Sequence, residues 1–145
     1  FPLVINKGSL EAMIFSGKYD YINLDISSRR FSVSVANKRE ISAKLVHFDK
    51  FFMELQEVYI ELEKIGLRPA RVEEMLAFGA KYPEVQRRFP VLALGSVWVF
   101  LGVRYVPTLW GNEKERILML SAMGAGLKEY RFLAVDKKEG KISRR

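Results

Sequence analysis

Residues 49–81 read DKFFMELQEVYIELEKIGLRPARVEEMLAFGAK, and this stretch decides the architecture. Phe52, Leu55, Tyr59, Leu62 and Ile65 recur at helical spacing, with Phe51 and Val58 widening the apolar stripe. Asp49 is a suitable N-cap. Glu54, Glu57, Glu61 and Glu63 fall on the solvent side, and Gly66 supplies the C-terminal stop. A second helix is predicted after Pro69, which pre-sets its first turn, and runs to about Lys81. It turns Val72, Met75, Leu76 and Gly79 inward and places Glu73 and Glu74 favourably near its N-terminus.

On the N-terminal side, Ser9 is placed to cap a short helix over Leu10–Phe15 that Gly17 ends. Tyr19, Tyr21, Ile22, Leu24 and Ile26 form an apolar patch that must pack onto something. Phe31, Val33 and Val35 alternate with Ser32 and Ser34, the period of a half-buried strand. With the polar turn Asn37-Lys38-Arg39 and the run Ile41–Phe48, residues 31–48 are expected to form a hairpin. On the C-terminal side, Pro83 and Pro90 bracket one helical turn plus a loop. Strands are then predicted at 91–94, 97–101, 103–109, 117–120 and 131–135, with a loop at Met123-Gly124-Ala125-Gly126. Strands, two helices, then more strands make an α+β fold: two helices packed on a mainly antiparallel sheet. Residues 1–40 are taken as an N-terminal extension packing on the domain, 41–135 as the core and 136–145 as a basic polar tail.

At 145 residues and 49% apolar composition the chain is sized for one domain with one sizeable core. Zero cysteines exclude a disulfide scaffold, a thiolate metal site and a thiol nucleophile, and are compatible with a cytoplasmic protein. A lone histidine, His47, leaves no partner for a His-based metal site, and neither a metal nor a cofactor is expected. Ser96 follows Gly95 but lacks the second glycine of a nucleophile elbow. Gly124-Ala125-Gly126 is followed by a strand rather than the helix a dinucleotide loop needs. The longest apolar run, Val91–Val103, is too short for a membrane span and is broken by Gly95 and Gly102, so no membrane partner is expected. A start at Phe1 is what a processed chain would show.

The stretch Gly66-Leu67-Arg68-Pro69-Ala70-Arg71-Val72-Glu73-Glu74-Met75 resembles the G-x-R-x-P/A-T-x-E-E-W segment of C-type-lectin-like domains, in their formylglycine-generating and retroelement-diversified branch. Tyr130-Arg131-Phe132 is similar to the closing strand of such domains, and Trp98 falls where they carry a tryptophan-bearing strand. The chain also looks like small uncharacterised bacterial proteins sharing the runs GLRPA, YPEVQRRFP, ALGSVW, YVPTL and YRFLAV. The resemblance covers about residues 41–135. It departs at Arg71 and Met75, where the family has Thr and Trp, and the catalytic cysteines and the calcium and sugar motif are missing.

What the resemblance implies is a non-enzymatic binding scaffold that recognises a protein or other macromolecule through loops before the last strand, here 110–116 and 121–130. Trp110, Asn112, Arg116, Arg104 and Tyr130 are the candidate ligand-binding residues, since exposed tryptophan and arginine are enriched at binding hot spots. The formal net charge of +7 supports a second reading. Arg29, Arg30, Lys38, Arg39 and Lys44 on the 31–48 hairpin and its approach, with the tail DKKEGKISRR, would form a phosphate-binding stripe for nucleic acid.

Overall fold

A computed structural model describes residues 1–33, 35–49, 54–123 and 129–138. Its described elements in chain order are β1 (Pro2–Ile5), α1 (Leu10–Ser16), β2 (Tyr21–Ile22), β3 (Arg39–Val46), α2 (Leu55–Lys64), β4 (Leu67–Pro69) and α3 (Val72–Lys81). A 3-10 turn (Val85–Arg87) then leads into β5 (Val91–Leu92), β6 (Trp98–Phe100), β7 (Val103–Gly111), β8 (Arg116–Ala122) and β9 (Arg131–Asp136). The strands form one mixed sheet in the order β1-β3-β9-β5-β7-β8-β2, with β4 also on β9 and β6 on β7. All pairings are antiparallel except β5 on β9 and β2 on β8. The fold is therefore α+β with a mostly antiparallel sheet, and the described residues form three α-helices rather than two: the Ser9-capped segment is a true helix, with the Ser9 hydroxyl accepting from the Ala12 amide at 3.1 Å.

Side-chain parity along the strands sorts the core into two layers. Ile41, Ala43, Val91, Leu109, Leu118, Leu133 and Val135 face α1 and α3. Leu92, Leu94, Val106, Phe132 and Ala134 face α2 through Leu55, Val58 and Leu62. β9 is buried on both faces over 132–135, which explains why FLAV is an unbroken apolar run instead of an alternating one. The 41–48 region pairs with 131–135, with Ala43 opposite Val135 and Val46 opposite Phe132.

Several boundaries move. Of this segment, the described residues 31–33 and 35 do not pair with β3: the Phe31 amide turns back to the Ser27 carbonyl, Val35 makes one isolated bridge with Gly8, and β3 is taken by β1 and β9. Phe31 and Val35 are nonetheless buried. Their alternation reports core packing of an irregular segment, not a ladder. α2 begins at Leu55, not after Asp49; Glu54 is the N-cap, and its amide donates to the Glu57 carboxylate at 2.9 Å. Phe51 and Phe52 lie outside the described residues, as do Gly124–Gly126 and most of the tail. Pro69 ends β4, so α3 starts at Val72, capped from another loop by the Ser96 hydroxyl, which accepts the Val72 amide at 2.8 Å.

Residues 1–40 are integral. β1 extends the sheet along β3, and Leu10 and Ile14 of α1 enter the main core. The edge is fixed by Glu74, which is fully buried at the start of α3. Its carboxylate takes Arg68 Nη1 and Nη2 at 2.9 and 2.7 Å, Arg39 Nη1 at 3.0 Å and the Arg71 amide at 2.8 Å. One carboxylate so pins α3 to β3 and β4.

Burial pushes the Glu74 carboxyl up, but the Arg68 pair, the Arg71 amide and Arg39 together hold it below its ordinary 4.5. A depressed carboxyl stabilises the fold above its unfolded value and loses that contribution as pH falls through the folded value. Glu74→Gln is expected to cost about 2–4 kcal/mol at neutral pH, because the buried side chain's charge-assisted bonds to Arg68 and Arg39 become bonds to a neutral amide. Urea unfolding at a series of pH values should show the wild type losing stability below pH 4.5 and the variant losing clearly less.

Candidate functional site

α2 covers only part of its side of the sheet. Beyond it, Thr108 and Trp110 of β7 and Met119 and Ser121 of β8 form the floor of an open cleft of about 410 Å3. Their alternation puts all four on one face, and the register places Thr108 opposite Met119. One wall is Arg88-Phe89-Pro90, which follows the 3-10 turn; the other is Glu129-Tyr130, which enters β9. Trp110 is 42% exposed. The Thr108 hydroxyl donates to Ser121 Oγ at 2.8 Å, leaving a small polar spot among the aromatic groups. The Arg131 guanidinium lies 4.4 Å from the Phe89 ring centroid and fixes that wall. Burial, and then the charge of Glu129, push the Tyr130 hydroxyl up, so it stays a neutral donor.

The five expected ligand-binding residues therefore divide. Trp110 and Tyr130 meet in the cleft. Trp110 belongs to β7 itself, not to a turn; the turn is 112–115, and Asn112 builds it by accepting the Lys114 and Glu115 amides at 2.8 and 3.0 Å. Arg104 lines a different cleft with Glu54, Tyr59, Val97 and Met123.

Arg116 is the clear correction. It is 6% exposed and cannot reach a ligand. Its Nε donates to the Pro83 carbonyl at 3.1 Å and Nη1 to the Gly17 carbonyl at 2.6 Å. Nη2 donates to the Gly79 carbonyl at 2.7 Å and to Gln86 Oε1 at 3.0 Å. Gly17 closes α1 and Gly79 lies in the last turn of α3, so the negative ends of two helix dipoles converge on this guanidinium. The charge also lies 4.7 Å from the Tyr19 ring centroid. Burial raises the Tyr19 hydroxyl to about 12, with Arg116 opposing.

Sequence reasoning missed Gln86. It is buried, and its amide nitrogen donates to the Trp110 carbonyl at 2.8 Å and the Ile117 carbonyl at 3.1 Å. Arg116 thus braces Trp110 through Gln86. A glutamine in the polar string YPEVQRRFP carries no local signal of burial.

The basic stripe is not assembled. Arg39 is committed to Glu73 and Glu74, and Arg30 to Asp25 at 3.4 Å and to the Trp98 ring. Arg29, Lys38 and Lys44 remain exposed but without the hairpin that would align them. His47 is exposed just past β3, and among the described residues no three metal-ligating side chains gather. No protein-family model matches the chain, and neither a curated protein nor a solved structure matches it.

Arg116→Ala is expected to lower stability by about 3 kcal/mol or more, since it strands buried carbonyls from three elements. Arg116→Lys, with three donors for four bonds, should recover only part. Thermal melts decide this; an unchanged midpoint for the alanine variant would contradict the assigned role.

Proposed function

We propose that the chain is a non-enzymatic binding module that takes a protein ligand, as an extended segment, in the cleft around Trp110. The observation carrying this reading is the exposed Trp110 ring, which lines a cleft together with Phe89, Pro90 and Tyr130. Phe89, Pro90, Trp110 and Tyr130 give a rigid aromatic lining of the type that holds extended and proline-rich peptides. The half-buried Ser121 hydroxyl, positioned by the buried Thr108, offers a polar contact to a peptide backbone, and Arg88 and Glu129 give the rim both signs of charge. Among the described residues lining the cleft, Glu129 is the single carboxylate and none is a histidine. The C-type-lectin-like assignment belongs to the same proposal; the β3–β9 pairing supports it, as such domains join their first and last strands.

Panning a random peptide library on the immobilised protein should enrich binders. Trp110→Ala and Tyr130→Ala should each weaken the selected peptides by about tenfold or more while leaving the melting temperature in place. Failure to enrich, or binding indifferent to both substitutions, would overturn the reading.

A further inference from the structure

The hairpin of β6 and β7 spells VWVFLGVRY over residues 97–105 and closes on Leu101-Gly102. Both turn residues have positive φ, 51° and 77°, the geometry of a type I′ turn that favours Asn-Gly. A leucine in the first position is strained by its Cβ, and here its side chain is 85% exposed. Val99, Phe100 and Val103 beside it are exposed as well. Strain and apolar exposure both oppose this turn in water, and both are offset if the tip enters an apolar medium.

What lies behind the tip identifies that medium. Trp98 and Tyr105 face each other across the ladder with ring centroids 5.6 Å apart, and Phe100 stacks on Trp98 at 5.1 Å. At the same level the Arg30 guanidinium lies 4.8 Å from the Trp98 ring, and exposed Arg104 sits opposite Val99. The acids facing these groups are Asp25, paired with Arg30, and Glu54, which lines the cleft beside Arg104. Counting back from the turn, Phe100–Val103 comes first, Val99–Arg104 second and Trp98–Tyr105 third, so an apolar tip is backed by guanidinium and amphipathic aromatic groups at one interfacial level, as a bilayer surface offers acyl chains and then a mixed interface of headgroups.

We propose that the β6–β7 tip inserts shallowly into an anionic lipid bilayer surface. Leu101 and Phe100 reach the acyl boundary, and exposed Arg104 meets the headgroup phosphates, while Arg30 holds the Trp98 ring in place behind them. No described helix is long and apolar enough to cross a membrane, and a surface-adsorbed hairpin requires none. The expectation of no membrane partner came from the lack of a spanning run and does not bear on this mode. Trp110 lies seven residues along β7 from Val103, about 23 Å away at strand rise, so the peptide cleft and the lipid-facing tip can be occupied together.

Cosedimentation with vesicles tests the assignment. The protein should partition onto equimolar phosphatidylcholine–phosphatidylglycerol vesicles about tenfold better than onto pure phosphatidylcholine, and added salt should erase the difference. Leu101→Asn keeps a residue suited to positive φ, so it should melt at the same or a higher temperature yet lose about tenfold in partitioning; Phe100→Ser should lose a similar factor. Equal retention on both vesicles, or retention unaffected by Leu101→Asn, would overturn the proposal. So would lipid-free dimerisation abolished by Leu101→Asn, because that would assign the tip to a second copy of the chain. Binding of cleft-selected peptides by Leu101→Asn should be unchanged, which separates this proposal from the reading of the cleft.

Discussion

One buried guanidinium organises the side of the sheet that carries α1 and α3. Arg116 enters at the first position of β8 and satisfies itself on carbonyls from the ends of α1 and α3, the residue Pro83 after α3, and Gln86 of the 3-10 turn. It has no carboxylate within ion-pair distance among the described residues, and two helix C-termini supply the compensating negative potential instead. That arrangement fixes how both helices end relative to β8. It also explains the glycines. At Gly17 and Gly79 a Cβ would stand 2.2 Å from Tyr19 atoms, so the ring beneath the guanidinium requires both positions to be bare.

The same charge reaches the candidate site at one remove. Gln86 accepts from Arg116 and donates to the Trp110 and Ile117 carbonyls, so the C-terminal end of β7 is held from the helix side while the indole projects to the other side. An open aromatic cleft gains from such bracing, since a rigid platform loses little entropy when a ligand settles on it. The remote Glu74 cluster performs the corresponding task at the opposite edge, where α3 meets β3 and β4.

Legibility in the sequence followed the range of the physics. Ser9, Gly66 and the 3.6-residue stripe are local signals, and α1, the end of α2 and α3 are where they point. The strands at 91, 103, 117 and 131 were visible because β-branched and apolar runs lay between turn residues. The 31–35 segment misled because alternation records which side chains are buried, and Phe31 and Val35 achieve burial without a ladder partner beyond one bridge. Trp110 and Tyr130 were recognisable as aromatics near late loops. Arg116 and Gln86 were not: nothing in RILML or EVQRR says that residues from three other elements will converge there. A surface arginine and a buried one are the same letter until long-range contacts are known.

β9 is bonded to β3, β4 and β5, and it follows all three in the chain. Without β9 the described pairings reduce to two ladders, β1-β3 and β5-β7-β8-β2 with β6, and β4 has no strand partner, so the ladders cannot join until residues 131–136 have emerged. Each piece meanwhile presents an open edge and one half of an apolar core. Completion is a single late insertion between waiting strands, so the ribosome delivers the keystone after the arch, and the interval before it arrives is when this chain is most exposed to wrong partners.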